Sequence, residues 1–216
     1  MLANNNSLSK RVAVIVVLWK SRRFLDAWFD TMSRLDYPRE LVEIVFVDNA
    51  SADGSREYVD EMMLNPLPGL PKMHYMPQSL NLGYAGGNNA GIKYAVAEGF
   101  DYVYLINYDI RVEPDFLAEA VMAAESSEKI GSVQSLLRLW PEKDLINSSG
   151  NMVHFLGFGF CGDGRVPISQ KHFIGLPEIA YPSGAGVLFK ASILREVGLF
   201  DEKFFAYHED LDLGWR

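Results

Sequence analysis

The stretch Val12-Ala-Val-Ile-Val-Val-Leu18 is a nearly continuous apolar run, rich in β-branched residues, and it predicts a strand that is buried on both faces. Apolar residues then recur at three- and four-residue spacing between Phe24 and Leu35, as they do on the buried face of a helix. A second apolar run, Val42 to Val47, follows. A strand, a helix and a strand in this order predict a βαβ unit whose two strands lie parallel in one sheet.

The same alternation continues along the chain, and it predicts an α/β fold with a mostly parallel central sheet flanked by helices. Residues 140–181 interrupt it, because they are rich in glycine, proline and aromatic residues; we expect short hairpins and a loop there. The further predicted elements are a helix over Ser55–Met63, a strand over Met73–Met76, a helix over Gly86–Glu98, a strand over Tyr102–Ile106, a helix from Pro114 to about Glu125, a strand over Ile130–Leu139, a strand over Val187–Lys190 and a helix over Ala191–Val197.

Length and composition indicate one large domain. The chain has 216 residues, of which 49% are hydrophobic, and this suffices for a substantial core. We expect residues 1–10 to be a disordered lead-in, since they are polar, and residues 11–216 to form a single domain. The net charge of −8 argues against a nucleic-acid partner. A single cysteine, Cys161, and the lack of any apolar run near the roughly 20 residues of a membrane span favour the cytoplasm.

Acidic residues follow predicted strands in three distant parts of the chain. Asp48 ends the second strand, Asp109 closes the segment Asn107-Tyr-Asp109 after the strand Tyr102–Ile106, and Asp210 lies beyond the last strand and helix. Because ligands of open α/β sheets bind beyond the carboxyl ends of the strands, we expect these carboxylates to converge on one edge. Asp109 and the phosphate oxygens of a ligand would suit Mg²⁺ or Mn²⁺. For Asp48 and Asp109 the alternative is a structural role in a strand-end turn.

The glycine-rich segment Asn81-Leu-Gly-Tyr-Ala-Gly-Gly-Asn-Asn-Ala-Gly91 surrounds the start of the third predicted helix. It matches neither the G-x-G-x-x-G dinucleotide fingerprint nor a P-loop, so neither of those sites is expected. We predict that Asn81, Gly83 and Gly86 let a ligand approach the helix N-terminus, where negative charge is favoured. Tight helix–sheet packing is the alternative, and the two roles are compatible.

The last segment, Phe204-Phe-Ala-Tyr-His-Glu-Asp-Leu-Asp-Leu-Gly-Trp-Arg216, carries three carboxylates within four residues. Carboxylates beside bulky apolar residues are costly to bury unless they pair with cations, bind metal or take part in chemistry. Asp212 and Arg216 are four residues apart, which favours an ion pair on one helical face. For Glu209 and Asp210, chemistry, metal binding and pairing with a cation all stay open at this point.

Four segments, taken in order, resemble the family 2 glycosyltransferases, which are inverting enzymes with the GT-A fold. The resemblance spans about Val12 to Arg216 and is greatest to the rhamnosyltransferase-like branch, with its pattern Asn-x-Gly-aromatic-x-x-Gly-Asn-Asn at Asn81–Asn89. The four segments are Val45–Ser55, Asn81–Gly91, Leu105–Asp109 and Gly184–Leu213.

The resemblance implies transfer of a sugar from a dTDP-, UDP- or GDP-linked donor to a glycan or lipid-linked acceptor. In that family the acid after the second strand contacts the nucleobase, and Asp48 matches it. The D-x-D motif of the family holds the metal and the ribose-diphosphate; here it is Asn107-Tyr-Asp109, so only the second acid is retained. The acidic pair near the end matches Glu209-Asp210, whose aspartate is the usual general base.

The first strand departs from the family's Thr/Asn-Tyr-Asn ending, because it closes with Leu18-Trp-Lys20. Trp19 is predicted to stack near the base and Lys20 to approach phosphate, with a place in the hydrophobic core as the alternative for Trp19. Residues 11–110 would then form the nucleotide-binding half and residues 111–216 the acceptor side. The acceptor side has four candidate aromatic residues, for which core packing is the alternative, namely Trp140, Phe155, Phe158 and Phe160.

Two other classes of function stay open. A sugar nucleotidyltransferase would carry a glycine-rich basic loop after the first strand, where this chain has Trp19-Lys-Ser-Arg-Arg23, basic but without glycine. A non-catalytic nucleotide-sugar or carbohydrate-binding module would not need Asp109 and Asp210. The resemblance further predicts polysaccharide or cell-envelope synthesis near the inner face of the membrane, with peripheral membrane association, and a natural chain that continues past Arg216.

Overall fold

The computed structural model describes residues 9–216, which form ten strands and six α-helices; most of the expected lead-in, residues 1–8, lies outside the described residues. The strands, in chain order, are β1 Val12–Leu18, β2 Val42–Asp48, β3 Lys72–Pro77, β4 Tyr102–Ile106, β5 Ser132–Gln134, β6 Leu137–Arg138, β7 Ile146–Ser148, β8 Asn151–Val153, β9 Gly159–Cys161 and β10 Gly186–Lys190. The helices are α1 Arg22–Met32, α2 Ser55–Leu64, α3 Gly83–Ala97, α4 Phe116–Glu125, α5 Ala191–Val197 and α6 Glu209–Trp215.

The central sheet has six strands in the order β3-β2-β1-β4-β10-β5. Strands β1 to β4 pair in parallel, whereas β10 runs antiparallel to both β4 and β5. The prediction of a mostly parallel sheet flanked by helices is therefore confirmed. The small hairpins expected within 140–181 are also present, as the pairs β6–β7 and β8–β9.

Alternate residues of each central strand face opposite layers of helices, as the two-residue period of a strand requires. On one side, Phe46 packs among Trp28 and Phe29 of α1, with ring centroids 5.4 and 5.5 Å away. On the other side, Ile15 belongs to a separate buried cluster with Ile92 of α3. Such two-sided burial explains why β1 and β2 are continuous apolar runs in the sequence.

Three predicted elements need correction. The helix expected from Gly86 begins three residues earlier, at Gly83. The helix expected from Pro114 begins at Phe116, after the cap residue Asp115. The apolar segment after α4, which resembles one strand, is two strands, because Ser135 and Leu136 separate β5 in the main sheet from β6 in a hairpin. None of the helices within residues 9–216 has the length and apolar character needed to cross a membrane.

Candidate active site

The carboxyl ends of the parallel strands lie together at one edge of the sheet, here called the carboxyl edge. Leu18 of β1 pairs with Asp48 of β2, and Ile106 of β4 pairs with Gly186, where the antiparallel β10 begins. Three strand spacings separate β2 from β10, so these two strands lie roughly 14 Å apart across this edge. The edge can therefore hold an elongated ligand that contacts β2 at one end and β10 at the other.

Asp210, in the first turn of α6, is hydrogen-bonded to the backbone just before β10. Its Oδ2 accepts a hydrogen bond from the Gly184 N–H at 3.3 Å, and its Oδ1 accepts one from the Leu211 N–H at 2.8 Å. Burial raises the pKa of Asp210 above its usual value, and the two N–H donors only partly oppose this rise. A half-buried carboxylate with a raised pKa is a stronger base than an exposed one.

Glu209, the first residue of α6, is only 5% exposed, and its Oε2 has no hydrogen-bond partner among the described residues. Burial, with a contribution from the nearby Asp210 charge, raises the pKa of Glu209 to about 7. Burial thus raises the pKa of both neighbouring acids, but both Asp210 oxygens accept hydrogen bonds, whereas Oε2 of Glu209 has none within residues 9–216.

A short bridge, Gly184-Ala185, connects the acid pair with the end of β4. Tyr84 of α3 donates a hydrogen bond to the Gly184 carbonyl at 2.5 Å, and the Asn107 N–H donates to the Ala185 carbonyl at 3.3 Å. Burial and the charges of Glu209 and Asp210 raise the pKa of the Tyr84 hydroxyl well above its usual value, so it stays a donor. Neither Tyr84 nor this role of the bridge was predicted from the sequence.

Asp109 is exposed and makes no hydrogen bond or ion pair with any residue of the range 9–216. No group of three or more potential metal-ligating side chains is found within that same range. A magnesium or manganese ion at a nucleotide site commonly takes one or two carboxylates and completes its coordination with phosphate oxygens and water. A single free carboxylate next to Asn107 fits that kind of site, although not a site built from protein ligands alone.

Asp48 is 3% exposed and holds the turn that comes after β2. Its Oδ1 accepts from the Ser51 N–H at 3.0 Å, and its Oδ2 accepts from the Tyr75 hydroxyl at 2.5 Å. The turn-forming alternative is therefore realised. Each carboxylate oxygen has a second lone pair, so Asp48 keeps the capacity to accept a hydrogen bond from a nucleobase. That contact stays a prediction.

Trp19 and Lys20 come directly after β1 at the same edge. The core alternative for Trp19 is wrong, since its side chain is 44% exposed. The Lys20 ammonium lies 4.8 Å from the centroid of the Trp19 ring, which leaves a positive charge at the edge. Arg23, exposed at the start of α1, is a further cation. Its charge partly opposes the rise that burial causes in the pKa of Tyr108, which lies between Asn107 and Asp109. A basic cluster after a strand is the sequence signal that would have identified Arg23.

The start of α3 is occupied by contacts within the protein. The Asn81 side chain accepts from the Gly83 N–H at 2.8 Å, and the Gly83 carbonyl accepts from the Asn49 amide at 2.8 Å. A Cβ on Gly86 would lie 2.8 Å from the Leu82 Cβ, so this position is tightly packed. These contacts lie around the helix start and not against the sheet; the glycines that pack against β1 are Gly87, next to Val17, and Gly91, next to Ile15. Contact of Asn81, Gly83 and Gly86 with a ligand stays a prediction.

The four candidate aromatic residues of the acceptor side are exposed, so core packing does not explain them. The tip of the β8–β9 hairpin carries Phe155 and Phe158, and Trp140 stacks under Arg111 at 3.9 Å. Phe158 faces α6 across a groove of about 480 Å³, whose other lining residues include Leu211 and Asp212. Asp212 pairs with Arg216 at 2.9 Å, as its spacing predicted.

The family model described as "Glycosyl transferase family 2" matches residues 13–198. The chain belongs to glycosyl transferase family 2. The resemblance stated from four short segments is confirmed, and so is the GT-A fold.

Curated relatives of this family 2 chain are named as sugar transferases. It is 24% identical over 206 residues to the low-salt glycan biosynthesis hexosyltransferase Agl10 of Haloferax volcanii, covering 95% of this chain and 61% of that one. It is 26% identical over 192 residues to the N-acetylglucosaminyl-diphospho-decaprenol L-rhamnosyltransferase of Mycobacterium tuberculosis, covering 81% of this chain and 60% of that one. The chain thus spans about three-fifths of the length of these relatives.

A solved structure gives the same answer for the fold of this family 2 chain. The mannosyltransferase PcManGT of Pyrobaculum calidifontis, in complex with GDP-Man and Mn²⁺, superposes with a TM-score of 0.66 at 20% identity. The match covers 94% of this chain and 50% of PcManGT. At this identity the likeness concerns the fold.

Proposed function

We propose that this family 2 chain is an inverting glycosyltransferase that moves a sugar from a nucleoside-diphosphate-sugar donor to an acceptor hydroxyl, with Asp210 as the general base. One observation carries the proposal. The Asp210 carboxylate is held by the Gly184 N–H at the carboxyl edge of the sheet, where nucleotides bind in open α/β folds. Its raised pKa suits a base that must accept a proton from a hydroxyl.

The proposed reaction is a single displacement. The acceptor oxygen forms a bond to the anomeric carbon while the bond from that carbon to the diphosphate oxygen breaks. The electron pair leaves with the nucleoside diphosphate, and the hydroxyl proton passes to Asp210. One displacement inverts the anomeric centre, whereas retention by double displacement would need a carboxylate nucleophile. Glu209, whose pKa is raised to about 7, is mostly protonated well below that pH and then adds little negative charge beside the base.

Asp109 is the proposed protein ligand of a divalent cation, Mg²⁺ or Mn²⁺, with Asn107 beside it. A bound cation would offset the charge that develops on the leaving diphosphate. Lys20 and Arg23, exposed at the same edge, contribute further positive charge toward the phosphates. Asp48, Trp19, Asn81, Gly83 and Gly86 are the proposed contacts of the nucleoside and diphosphate.

The donor is proposed to carry dTDP, UDP or GDP and a hexosyl or rhamnosyl group. A glycan or lipid-linked hydroxyl is the proposed acceptor, and the exposed aromatic residues Phe155 and Phe158 lie on the side proposed for it. Sugars present apolar C–H faces that stack on aromatic rings. We place the reaction in the cytoplasm, near the inner face of the membrane, because such donors and lipid-linked acceptors meet there.

The test measures nucleoside diphosphate released from dTDP-rhamnose, UDP-N-acetylglucosamine and GDP-mannose, each with Mn²⁺. With the best donor, Asp210→Asn is expected to lower turnover at least about 100-fold, the usual worth of a general base. Calorimetry with the matching nucleoside diphosphate should give an affinity within about threefold of the wild type, because the base does not touch the nucleotide.

Asp212→Asn is the matched control, since Asp212 lies two residues further along the same helix and pairs with Arg216. It should keep near-normal turnover. For the wild type, turnover should fall as the pH falls through the raised pKa of Asp210, because the base acts only as a carboxylate. Turnover by Asp210→Asn equal to that of Asp212→Asn would refute the assignment, and donor binding without turnover by the wild type would favour a non-catalytic module.

A further inference from the structure

The segment Phe200–His208, here called the 200–208 loop, leads directly into the acid pair at the start of α6. Three of its residues that are not glycine, Phe205, Tyr207 and His208, have positive φ angles of 59°, 73° and 69°. Residues that carry a side chain rarely adopt a backbone conformation with positive φ, and such conformations persist only where the surrounding structure holds them. The position of Asp210 therefore depends on whatever fixes this loop.

Asn89 of α3 holds the beginning of the loop. Its Oδ1 accepts a hydrogen bond from the Phe200 N–H at 3.1 Å, and its Nδ2 donates to the Phe200 carbonyl at 2.9 Å. The same Nδ2 donates to Oε1 of Glu202 at 3.0 Å. The side-chain amide thus pairs with both backbone groups of one loop residue, as a neighbouring strand would. Asn89 is 2% exposed, so water does not compete for these bonds.

The first turn of α3 holds the middle of the loop. The Ala85 N–H donates to the Phe205 carbonyl at 3.1 Å. A Cβ on Gly83 would lie 2.4 Å from that same carbonyl oxygen, so only glycine permits the approach. A single helix therefore fixes two points of the loop, at Phe200 and at Phe205.

We infer that Asn89 is a positioning residue for the proposed general base: by pairing with Phe200 and Glu202 it fixes the 200–208 loop and with it the place of Asp210. This inference rests on the proposed function. Asn89 acts through the loop and has no contact with the Asp210 side chain. A misplacement of about 1 Å at a reacting group can cost roughly 100-fold in rate, so a loosened loop should lower turnover more than donor binding.

The experiment compares the wild type with Asn89→Leu, which has similar volume and lacks all three hydrogen bonds. Amide hydrogen exchange measured by mass spectrometry should become about tenfold faster across residues 201–211, and stay unchanged in β1 and β2, because only the loop loses its attachment. Release of nucleoside diphosphate from the best donor should show kcat lower by about 10- to 100-fold and KM within about threefold.

A second set of variants keeps the test decisive if Asn89→Leu does not fold. Glu202 is half-exposed and pairs with both Asn89 and Lys93, the latter at 3.6 Å. Glu202→Ala should lower kcat by about three- to tenfold, whereas Glu202→Gln keeps an acceptor oxygen and should restore it. Lys93→Ala removes the ion pair alone and should leave kcat unchanged.

The outcomes separate the two proposals. Slower turnover at unchanged KM, together with faster exchange in the loop, supports the positioning role. Wild-type exchange in Asn89→Leu, or faster exchange with normal kcat, overturns it. The same holds for Glu202→Ala if it replaces the first variant. A wild type that releases no nucleoside diphosphate from any donor contradicts the proposed function instead, and hydrogen exchange then decides by itself whether Asn89 fixes the loop.

Discussion

At the scale of single residues, the acid pair shows how burial gives two adjacent carboxyl groups different properties. Asp210 is stabilised as a carboxylate by two backbone N–H donors, whereas Oε2 of Glu209 has no partner within the described chain. An unpaired buried carboxylate is costly, and the cost falls when the group binds a proton. Glu209 is therefore the residue at which pH and stability should be linked most directly.

The direction in which stability changes with pH follows from the pKa of Glu209 in the folded chain and its ordinary pKa. Glu209 has a pKa of about 7 in the folded chain against an ordinary value of 4.5, so the folded state binds the proton more tightly. The free energy of unfolding should therefore fall as the pH rises from about 4.5 to about 7. Glutamine does not titrate, so the Glu209→Gln variant does not lose stability over this pH range. At pH 8 its free energy of unfolding should exceed that of the wild type by on the order of 1–3 kcal/mol. At pH 5 the two proteins should be nearly equal.

Urea unfolding at pH 5 and pH 8 measures this difference. Glu196→Gln, the same change at an exposed position in α5, is the control and should shift stability equally at both pH values. A Glu209→Gln variant that is no more stable than the wild type at pH 8 would contradict the prediction. It would mean that Glu209 finds a partner for its charge that the structure does not contain.

At the scale of elements, helix α3 connects the sheet to the acid pair. Glycines let it approach β1 closely, because a Cβ on Gly91 would lie 2.6 Å from Ile15 and one on Gly87 would lie 2.7 Å from Val17. Gly83 then permits the close contact with Phe205. The glycine-rich motif is thus explained first by packing, on one side against the sheet and at its start against the 200–208 loop.

Two glycines with nearly equal φ angles allow the energetic effect of this contact to be measured. Gly83 has φ +71° and faces Phe205, whereas Gly99 has φ +72° and has no atom within 4 Å of an added Cβ. Gly99→Ala should cost about 1 kcal/mol, from the left-handed backbone alone. Gly83→Ala should cost about 2–4 kcal/mol, since overpacking adds to the same strain.

Chemical denaturation of both variants gives the two free energies, and their difference reports the contact between α3 and the loop. Turnover should fall in Gly83→Ala and stay normal in Gly99→Ala. Equal destabilisation by the two substitutions would show that the loop moves aside at no cost, and would also weaken the case for α3 as the support of Asp210.

The elements were predictable where local pattern determines them, and their contacts were not. The periodicity of β1, α1 and β2 predicts their limits to within a few residues, because burial imposes the pattern on each element separately. The pairing of Asn89 with Phe200 joins residues 111 positions apart and leaves no periodic trace in the sequence. For the same reason the antiparallel direction of β10 could not be predicted from its apolar residues.

Some residues of the candidate site were likewise predictable from the sequence pattern, and others were not. The position of acids after strands predicts that Asp48 and Asp109 lie at the carboxyl edge, since every parallel strand ends there. Glu209 and Asp210 were identified through residue types and the family resemblance, whereas their unequal burial depends on packing around α6. Tyr84 and the Gly184-Ala185 bridge carry no residue type that marks them as part of a site.

At the scale of the whole molecule, electrostatics bears on how the proposed donor is bound. The chain has a net charge of −8, so its overall field opposes the approach of a nucleoside diphosphate. Lys20 and Arg23 offer only a small local excess of positive charge at the carboxyl edge, and Asp109 adds a negative one. A divalent cation bound together with the diphosphate would remove this repulsion, and the affinity for nucleotide would then depend on metal.

Thermal unfolding of the whole chain tests this dependence without any turnover. A nucleoside diphosphate at 100 times its Kd should add about 2.7 kcal/mol, which for a domain of this size raises Tm by roughly 5–10 °C. We expect this rise with UDP, GDP or dTDP in Mn²⁺, and a much smaller one in EDTA. Asp109→Asn should abolish the difference between Mn²⁺ and EDTA, whereas Asp115→Asn, an exposed acid at the start of α4, should preserve it. An equal rise in Mn²⁺ and EDTA for the wild type would mean that Lys20 and Arg23 suffice to bind the diphosphate, and that Asp109 holds no metal.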